Sequence, residues 1–267
     1  METGTLPRPR TSMGSVSSLI MDLVFLTILF FIVAFFYSMV GFGGGSSYIA
    51  LLILFSTPYL ALPKIALTCN LIVVSGGLIH SLKSKNFSFR FLLPFILTSV
   101  PLAYVGGKIP IDENTFRLIL GVCLLIAGLK MLFFKKSNQG YKDHLEIPPT
   151  IPSLILGSGL GLISGIVGVG GGIFLSPLLF LFKWGNPNKI AATASGFIFF
   201  NSISGLIGQF QKNGNIPDFV SYWPLFIAVL IGGQMGSYLS NKKLPQRRIE
   251  VFTSFLVILV SSRLLMS

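Results

Sequence analysis

The chain has 267 residues, of which 52% are hydrophobic and 10% are charged. An ordinary soluble domain carries about 25% charged residues, so this composition excludes a globular protein with a water-exposed surface. The formal net charge of +12 comes from lysines and arginines that bracket long apolar stretches. This pattern excludes a nucleic-acid-binding face and indicates a protein embedded in a lipid bilayer.

Apolar segments predict the helices in chain order. In the first half they are residues 16–37, 45–55, 64–82, 89–106 and 115–134. A polar stretch with several prolines then interrupts the pattern and predicts a water-exposed linker. In the second half the apolar segments are residues 153–167, 172–183, 189–211, 219–240 and 249–266. These segments predict an all-α integral membrane protein that crosses the bilayer several times.

The two halves also match residue by residue. GFGGG at 41–45 corresponds to GVGGG at 168–172, and KIALT at 64–68 corresponds to KIAAT at 189–193. The pattern therefore predicts two homologous transmembrane repeats. The predicted division is an N-terminal tail at 1–18, a first repeat at 19–134, a polar linker at 135–152 and a second repeat at 153–267. Internal repeats of this size are typical of secondary transporters, whose substrate site lies near the bilayer midplane between the repeats.

The number of membrane crossings is the open point of this prediction. The second segment of each half has about 11 residues, or about 16 Å, against a hydrocarbon core of about 30 Å. Either the first and second segments form one broken helix, or they form a re-entrant hairpin or two tilted spans. The broken-helix count favours a cytoplasmic N-terminus but leaves the basic residues at 242–248 outside, and inverted halves would remove that conflict. We expect about eight transmembrane helices from eight to ten hydrophobic segments, with broken or re-entrant helices.

The two glycine clusters are the first candidates for a substrate site. Each lies between two apolar segments, where consecutive glycines let the backbone leave helical geometry without steric cost. In lipid, the freed backbone groups need protein, water or a ligand as partners. The N–H groups that open the short helix after each cluster form a positive dipole end, which suits an oxyanion. The alternative role of such small residues is close packing of helices.

Polar side chains on the third segment of each half are the second set of candidates. An amide or hydroxyl in a lipid-spanning segment is expected to face protein or water. Their alternative role is hydrogen bonding to their own helix or to a neighbouring helix. The predicted substrate-binding residues are Gly43, Gly44, Gly45, Ser46, Asn70, Gly170, Gly171, Gly172, Thr193, Ser195 and Asn201.

Ionisable residues indicate the charge of the substrate. All eight acidic residues lie at termini, in connectors or at segment ends, and a site without carboxylates suits an anion better than a cation. The sequence contains no catalytic motif, metal-ligand spacing or complete dinucleotide fingerprint. We therefore expect no catalytic residue, no metal ion and no cofactor. Cys69 and Cys123 lie singly in apolar segments and are expected to be core residues.

Taken together, the motifs resemble the sulfite exporter TauE/SafE family. The resemblance is carried by GFGGG at 41–45, GVGGGIFLSPLL at 168–179, KIAATAS at 189–195 and IGGQMGSYL at 231–239. It implies a bacterial inner-membrane permease of about eight transmembrane segments and a duplicated fold. The implied substrate is a small sulfur-containing or organic anion, such as sulfite or a sulfonate. The first copy has Ala50 where the second has Pro177, and Asn70 where the second has Ser195, which argues against a fully symmetric site.

The expected function is secondary transport of a small anion across the inner membrane of a bacterium. The expected partners are the anionic solute and the lipid bilayer, with a homo-oligomer left open and nucleic acid excluded. Two alternatives stay open, namely a passive anion channel or facilitator, and a membrane subunit or chaperone for a partner enzyme. Saturable, gradient-driven flux separates transport from the first alternative, and co-purification of an enzyme identifies the second.

Overall fold

The computed structural model describes residues 13–83, 87–133, 147–213 and 219–239, together with separate positions between 255 and 266. Within these residues the protein is all-helical and contains no β-strand, which confirms the all-α part of the predicted fold class. The helices of the first half are α1 Met13–Val40, α2 Gly45–Leu54, α3 Leu62–Lys83, α4 Phe89–Lys108 and α5 Glu113–Phe133. Those of the second half are α6 Thr150–Val167, α7 Gly172–Leu181, α8 Pro187–Asn213 and α9 Trp223–Leu239.

Nine predicted segments coincide with these helices, with ends shifted by a few residues. A short 3-10 helix, Phe219–Tyr222, begins the segment that continues as α9. The tenth predicted segment, 249–266, lies largely outside the described residues, and its described positions are helical. Residues 1–12 of the predicted tail and residues 135–146 of the predicted linker lie outside the described residues.

Six of the described helices are long and apolar enough to cross a membrane. They are Met21–Met39, Leu62–Leu82, Phe89–Lys108, Thr150–Val167, Asn188–Lys212 and Phe219–Leu239. α2 and α7 have 10 residues each, and a helix of this length reaches only about 15 Å. The described part of the chain therefore contains six candidate spans, and the expectation of about eight spanning helices stays a prediction.

Apolar side chains on the outside of the helices are consistent with a lipid environment. On α1, Val24, Phe25, Ile28 and Ile32 are all exposed, and their spacing places them along one side of the helix. Such a continuous apolar stripe has no favourable contact with water. The bilayer is therefore the solvent that this surface requires.

α1 and α2 form an antiparallel hairpin closed by residues 41–44, which we call the first glycine loop. The Phe30 and Tyr48 rings stack with centroids 4.7 Å apart. Further toward the loop, the hydroxyl oxygens of Tyr37 and Ser47 lie 2.8 Å apart. α2 therefore turns back along α1 instead of continuing it, which favours the re-entrant alternative over a broken helix.

α6 and α7 turn back in the same way at residues 168–171, which we call the second glycine loop. A Cβ placed on Gly171 would lie 3.4 Å from the Cβ of Ser164 and 3.5 Å from the carbonyl oxygen of Leu160. Gly171, the last residue of the loop before α7, thus lies beside the last two turns of α6. Both halves of the chain contain such a hairpin.

α3 and α8 cross antiparallel between the hairpins. A Cβ on Gly205 would lie 3.4 Å from Leu67 near the start of α3, whereas one on Gly77 would lie 3.8 Å from Ser195 near the start of α8. Position along one helix therefore increases as position along the other decreases. The corresponding third segments of the two sequence halves run in opposite directions.

α4 packs in parallel against α6, the first helix of the other half. A Cβ on Gly157 would collide with the carbonyl oxygen of Phe95, and a Cβ on Gly165 with that of Ala103. The glycines let the two backbones approach closely, as small residues do at membrane helix interfaces.

α9 packs in parallel against α1 by the same means. A Cβ on Gly236 would collide with the carbonyl oxygen of Phe35, and a Cβ on Gly232 would lie 2.5 Å from that of Phe31. The fourth helix of each half therefore packs against the first helix of the other half. This exchange brings the two hairpins and the α3–α8 pair into one bundle.

Candidate functional site

Both glycine loops use backbone conformations that L-residues rarely adopt. Gly41 and Gly44 in the first glycine loop have φ values of +81° and +84°. Gly168, Gly170 and Gly171 in the second have φ values of +83°, +79° and +74°. A left-handed conformation costs an L-residue with a Cβ about 1–2 kcal/mol. These glycines are therefore needed by the loops themselves and not only by helix packing.

Asn70 on α3 lies between the two glycine loops. Its Nδ2 donates a hydrogen bond of 3.1 Å to the carbonyl oxygen of Val169. A Cβ on Gly43 would collide with Asn70 Oδ1, and a Cβ on Gly45 would lie 2.5 Å from Asn70 Nδ2 and 2.7 Å from the carbonyl oxygen of Val169. The start of α2 and the second glycine loop therefore meet at one buried carboxamide.

Ser195 on α8 makes the corresponding contact with the first glycine loop. Its hydroxyl donates to the carbonyl oxygen of Gly41 at 2.7 Å and lies 3.0 Å from that of Ala191. Ser195 occupies the position in the second sequence copy that Asn70 occupies in the first. Each of these two residues thus binds the glycine loop of the opposite half.

The N-terminal ends of α2 and α7 both lie at this meeting point. Gly44 and Gly171 precede their first turns, and neither turn is capped by a side-chain hydrogen bond. The first N–H groups of a helix have no partner inside the helix, and together they carry about half a positive charge. Two such ends in one buried region favour an anion between them.

Several buried polar atoms near the loops have no hydrogen-bond partner among the described residues. They include Asn70 Oδ1, Ser46 Oγ and Ser202 Oγ, together with the hydroxyl oxygens of Tyr48 beside Gly44 and Ser164 beside Gly171. Ser202 Oγ would lie 3.2 Å from a Cβ on Gly170, so it borders the second glycine loop. An unpartnered buried group costs about 1–3 kcal/mol. A ligand that can both donate and accept hydrogen bonds would remove this cost.

Most of the residues that the sequence predicts for the site lie at the glycine loops. Those that form or contact the loops, or open the helices after them, are Gly43, Gly44, Gly45, Ser46, Asn70, Gly170, Gly171, Gly172 and Ser195. Thr193 and Asn201 bond within α8, the Thr193 hydroxyl to the Lys189 carbonyl oxygen at 2.7 Å and the Asn201 Nδ2 to that of Phe197 at 2.9 Å. Asn201 Oδ1 is buried without a partner in the described residues.

Ser202 is one of the residues at the loops that the predicted set lacks. Its side chain is 0% exposed and borders Gly170. A serine in a helix commonly bonds to its own backbone, so its residue type alone gives no sign of a binding role. Only the fold brings Ser202 and Asn70 to the same glycine, Gly170.

A cavity of about 380 Å³ lies away from the glycine loops, where α2 ends and α5 begins. Glu113 and Arg117 line it and form an ion pair of 2.6 Å. Beside it, hydrogen bonds from the hydroxyl and the N–H of Thr115 hold the pKa of Asp112 below its ordinary value. The carboxylates of Asp112 and Glu113 lie next to Arg117 in the chain, so this cavity suits an anion less well than the glycine loops do.

Comparisons with known proteins support the sequence resemblance. The family model described as sulfite exporter TauE/SafE matches residues 26–264. The probable membrane transporter protein y4hK of Sinorhizobium fredii is 32% identical over 243 residues, which cover 90% of this chain and 97% of that protein. The probable membrane transporter protein YunE of Bacillus subtilis is 25% identical over 274 residues, which cover 92% of this chain and 98% of that protein.

A relative from an archaeon is also similar. A probable membrane transporter protein of Methanocaldococcus jannaschii is 30% identical over 199 residues, which cover 70% of this chain and 72% of that protein. No solved structure matches the chain.

The bundle of membrane-length helices with two inward-turned hairpins defines a multi-pass membrane protein of the transporter class. Because the family model covers most of the sequence, the chain belongs to the sulfite exporter TauE/SafE family of membrane transporters. This result confirms the family resemblance that the glycine motifs carry.

Proposed function

We propose that the protein is a secondary transporter that carries a small sulfur-containing or organic anion, such as sulfite or a sulfonate. The observation that carries the proposal is the meeting of two uncapped helix N-termini at the buried Asn70 carboxamide. A positive potential suits an oxyanion, and no buried carboxylate lies at the loops within the part of the chain that the structure describes. The family description names sulfite, and this supports the substrate class.

We also propose that the two halves are inverted repeats. The antiparallel crossing of α3 and α8 and the exchanged α4–α6 and α1–α9 contacts support this arrangement. Inverted repeats can adopt two equivalent conformations. In one the substrate site is open to one side of the membrane, and in the other it is open to the opposite side. The anion would be held between the two glycine loops. It would be released when the α1–α2 hairpin moves relative to the α6–α7 hairpin.

The anion would replace contacts that the loops now make with Asn70 and Ser195. In this arrangement the backbone N–H groups at the starts of α2 and α7 bind the oxyanion, while Ser46 and Ser202 supply hydroxyls. No covalent step is required, so we propose transport and not catalysis. Within the described ranges, no three His, Cys, Asp or Glu side chains come together as a metal site. The proposed location is the inner membrane of a bacterium, and a homo-oligomer stays open.

The experiment that tests the proposal is uptake of radiolabelled sulfite, thiosulfate, sulfoacetate and taurine into proteoliposomes that contain the purified chain. We expect saturable uptake of at least one of these solutes. An opposing gradient of the same solute should drive exchange, which separates a transporter from a passive channel. The double substitution Gly44→Leu and Gly171→Leu should abolish uptake, because both positions have φ near +80° and lie beside buried groups.

A matched control keeps this experiment independent of folding. Gly77 on α3 also faces Ser195, but a Cβ there meets its nearest neighbour at an ordinary 3.8 Å. Gly77→Ala should retain uptake and elute as wild type in size-exclusion chromatography. Absence of uptake of all four solutes by the folded wild type would contradict the substrate class. Uptake by a folded Gly44→Leu, Gly171→Leu protein would contradict the site.

A further inference from the structure

Three oxygen atoms that join the two glycine loops accept hydrogen bonds but have no hydrogen to donate. They are the carbonyl oxygens of Gly41 and Val169 and the carboxamide oxygen Oδ1 of Asn70. The Ser195 hydroxyl donates to Gly41 at 2.7 Å, and Asn70 Nδ2 donates to Val169 at 3.1 Å. Asn70 is 0% exposed, and its Oδ1 has no hydrogen-bond partner in the described residues. One buried acceptor is therefore left without a donor.

A different orientation of Asn70 does not remove the need for a donor. Turning the carboxamide over would place Oδ1 against the Val169 carbonyl oxygen, and two acceptors repel each other. Moving the side chain away from the second glycine loop would leave the Val169 oxygen without its donor. The same happens when an anion replaces the contact between Asn70 and Val169. In each arrangement at least one buried acceptor stays unpaired, which is unfavourable.

A fully deprotonated oxyanion cannot supply the missing donor, because it only accepts hydrogen bonds. It accepts them from the same groups that could otherwise donate to Asn70 Oδ1, namely the N–H groups that open α2 and α7 and the hydroxyls of Ser46 and Ser202. A serine hydroxyl has a single hydrogen, so it donates to the anion or to the protein but not to both at once. Binding of an anion without a hydrogen of its own therefore leaves the acceptor unpaired.

The unpaired acceptor lies at the start of α2. A Cβ on Gly43 would collide with Asn70 Oδ1, and a Cβ on Gly45, the first residue of α2, would lie 3.0 Å from it. The free N–H groups of this first turn are the ones that favour an anion. A donor that reaches Oδ1 therefore belongs to the same small molecule as the anionic group. A neutral donor such as a hydroxyl fits better than an ammonium group, because the positive helix ends repel a cation.

The equivalent residue of the second copy imposes no such requirement. The hydroxyl of Ser195 contains both a donor and an acceptor, so it can pair with either kind of ligand atom. Asn70 Oδ1 only accepts. The difference between Asn70 and Ser195 therefore gives the site a chemical preference that two serines would not give.

We propose that the transported anion carries its own neutral hydrogen-bond donor, and that Asn70 Oδ1 accepts a hydrogen bond from it. Hydroxy-substituted sulfonates and carboxylates belong to this class, and sulfite belongs to it in its singly protonated form. This inference rests on the proposed transport of an anion and narrows its substrate class. Asn70 is then the residue that distinguishes donor-bearing anions from other anions of the same charge.

The first test compares three sulfonates that have the same charge. Hydroxyethanesulfonate has a hydroxyl donor, propanesulfonate has a methyl group in its place, and methoxyethanesulfonate keeps the oxygen but cannot donate. Their dissociation constants are obtained from the rise in melting temperature of the purified full chain with the concentration of each compound. We expect hydroxyethanesulfonate to bind about tenfold more tightly than the other two, the effect of one hydrogen bond to a buried group. Equal binding of the hydroxy and methoxy compounds would overturn the proposal.

The second test assigns the preference to Asn70. In Asn70→Ser the preference for hydroxyethanesulfonate should fall to within about threefold, because a hydroxyl can also donate to the ligand. Ser202→Ala is the matched control, since Ser202 also borders Gly170. It removes a group that serves all three sulfonates, so we expect weaker binding of each and an unchanged preference. A preference that persists in folded Asn70→Ser would overturn the role of Asn70.

Uptake of the same three compounds into proteoliposomes separates this proposal from the proposed function. Uptake of all three with equal KM would mean that anion transport stands and the donor requirement fails. Preferential binding of hydroxyethanesulfonate through Asn70 without uptake of any compound would mean that the donor requirement stands and transport fails. If none of the three changes the melting temperature and none is taken up, both proposals are overturned.

Discussion

Asn70 has two amide atoms in different situations. Nδ2 is satisfied by the carbonyl oxygen of Val169, and because a carbonyl can only accept, this bond fixes Oδ1 on the side of Gly43. Oδ1 has no hydrogen-bond partner in the described residues. It thus places a partial negative charge at the positive end of α2. In this conformation the side chain occupies part of the space in which we expect the anion to bind.

Asn70→Asp is expected to abolish sulfite uptake while the protein still folds. The carboxylate would itself occupy the positive region at the ends of α2 and α7. It would therefore repel the substrate anion from that region. Binding of a ligand raises the melting temperature of the protein it binds. We therefore expect sulfite to raise the melting temperature of wild type and to leave that of Asn70→Asp unchanged, as measured by a thermal-shift assay in detergent.

Asn70→Ser is the matched control for this substitution. It introduces the residue that Ser195 provides at the equivalent position, without adding a charge. We expect reduced but measurable uptake, because the hydroxyl reaches less far toward Val169 than the carboxamide does. A shift of melting temperature by sulfite in Asn70→Asp that equals the wild-type shift would contradict the placement of the anion beside Asn70.

At the scale of helices, α4 and α6 depend on the absence of side chains at their interface. A Cβ on Gly161 would collide with the carbonyl oxygen of Ser99 and lie 2.5 Å from its Cα. Gly159, two residues earlier on the same helix, has no atom within 4 Å of its Cβ position. Both glycines therefore lie in the same helix, but Gly161 contacts the α4 backbone whereas Gly159 faces open space.

Gly161→Ala is expected to lower the melting temperature, because the α4 and α6 backbones must separate to admit the methyl group. The cost of overpacking at such a site is about 1–3 kcal/mol. Gly159→Ala should be neutral or slightly stabilising, since alanine is the better helix former by about 1 kcal/mol. Thermal unfolding of both variants in the same detergent provides the comparison. Equal melting temperatures would show that α4 and α6 do not pack as closely as the fold requires.

Much of the helix layout follows from local sequence. Apolar runs and the polar residues between them predict nine of the helices, and the glycine clusters predict where α1 and α6 end. These features depend on residues close together in the chain. The positive φ angles at glycines 41, 44, 168, 170 and 171 also follow from local sequence, because glycine adopts this conformation without steric cost.

The return of α2 along α1 and the contacts between halves could not be predicted in this way. The bond between Asn70 and Val169 joins residues 99 positions apart, and that between Ser195 and Gly41 joins residues 154 positions apart. A polar residue in an apolar segment signals a partner but does not identify it. Thr193 and Ser195 illustrate this limit, because the Thr193 hydroxyl bonds within its own helix whereas the Ser195 hydroxyl also reaches the opposite loop.

At the scale of the whole molecule, helix directions divide the connectors between two sides. α3 ends, α6 begins and α9 ends on one side, which we call the linker side because the 135–152 linker precedes α6. The sequence stretches next to helix ends on this side contain the basic residues Lys83, Lys85, Arg90, Lys130, Lys135, Lys136, Lys142, Lys183, Lys189, Lys242, Lys243, Arg247 and Arg248. Those at the other side are Arg8, Arg10, Lys64, Lys108, Arg117 and Lys212. The linker side is the more basic one.

We therefore predict that the linker side faces the cytoplasm and that the N-terminus lies outside, because basic connectors are retained on the cytoplasmic side. This orientation differs from the one favoured by a broken-helix count, since the α1–α2 hairpin returns to the side on which α1 begins. In a Cys69→Ala, Cys123→Ala background, a membrane-impermeant maleimide should label Thr11→Cys in intact cells and Ser137→Cys only after lysis. The reverse labelling would mean that charge does not orient the chain. Labelling of both positions in intact cells would instead require an even number of crossings before the linker, and would therefore contradict inverted halves.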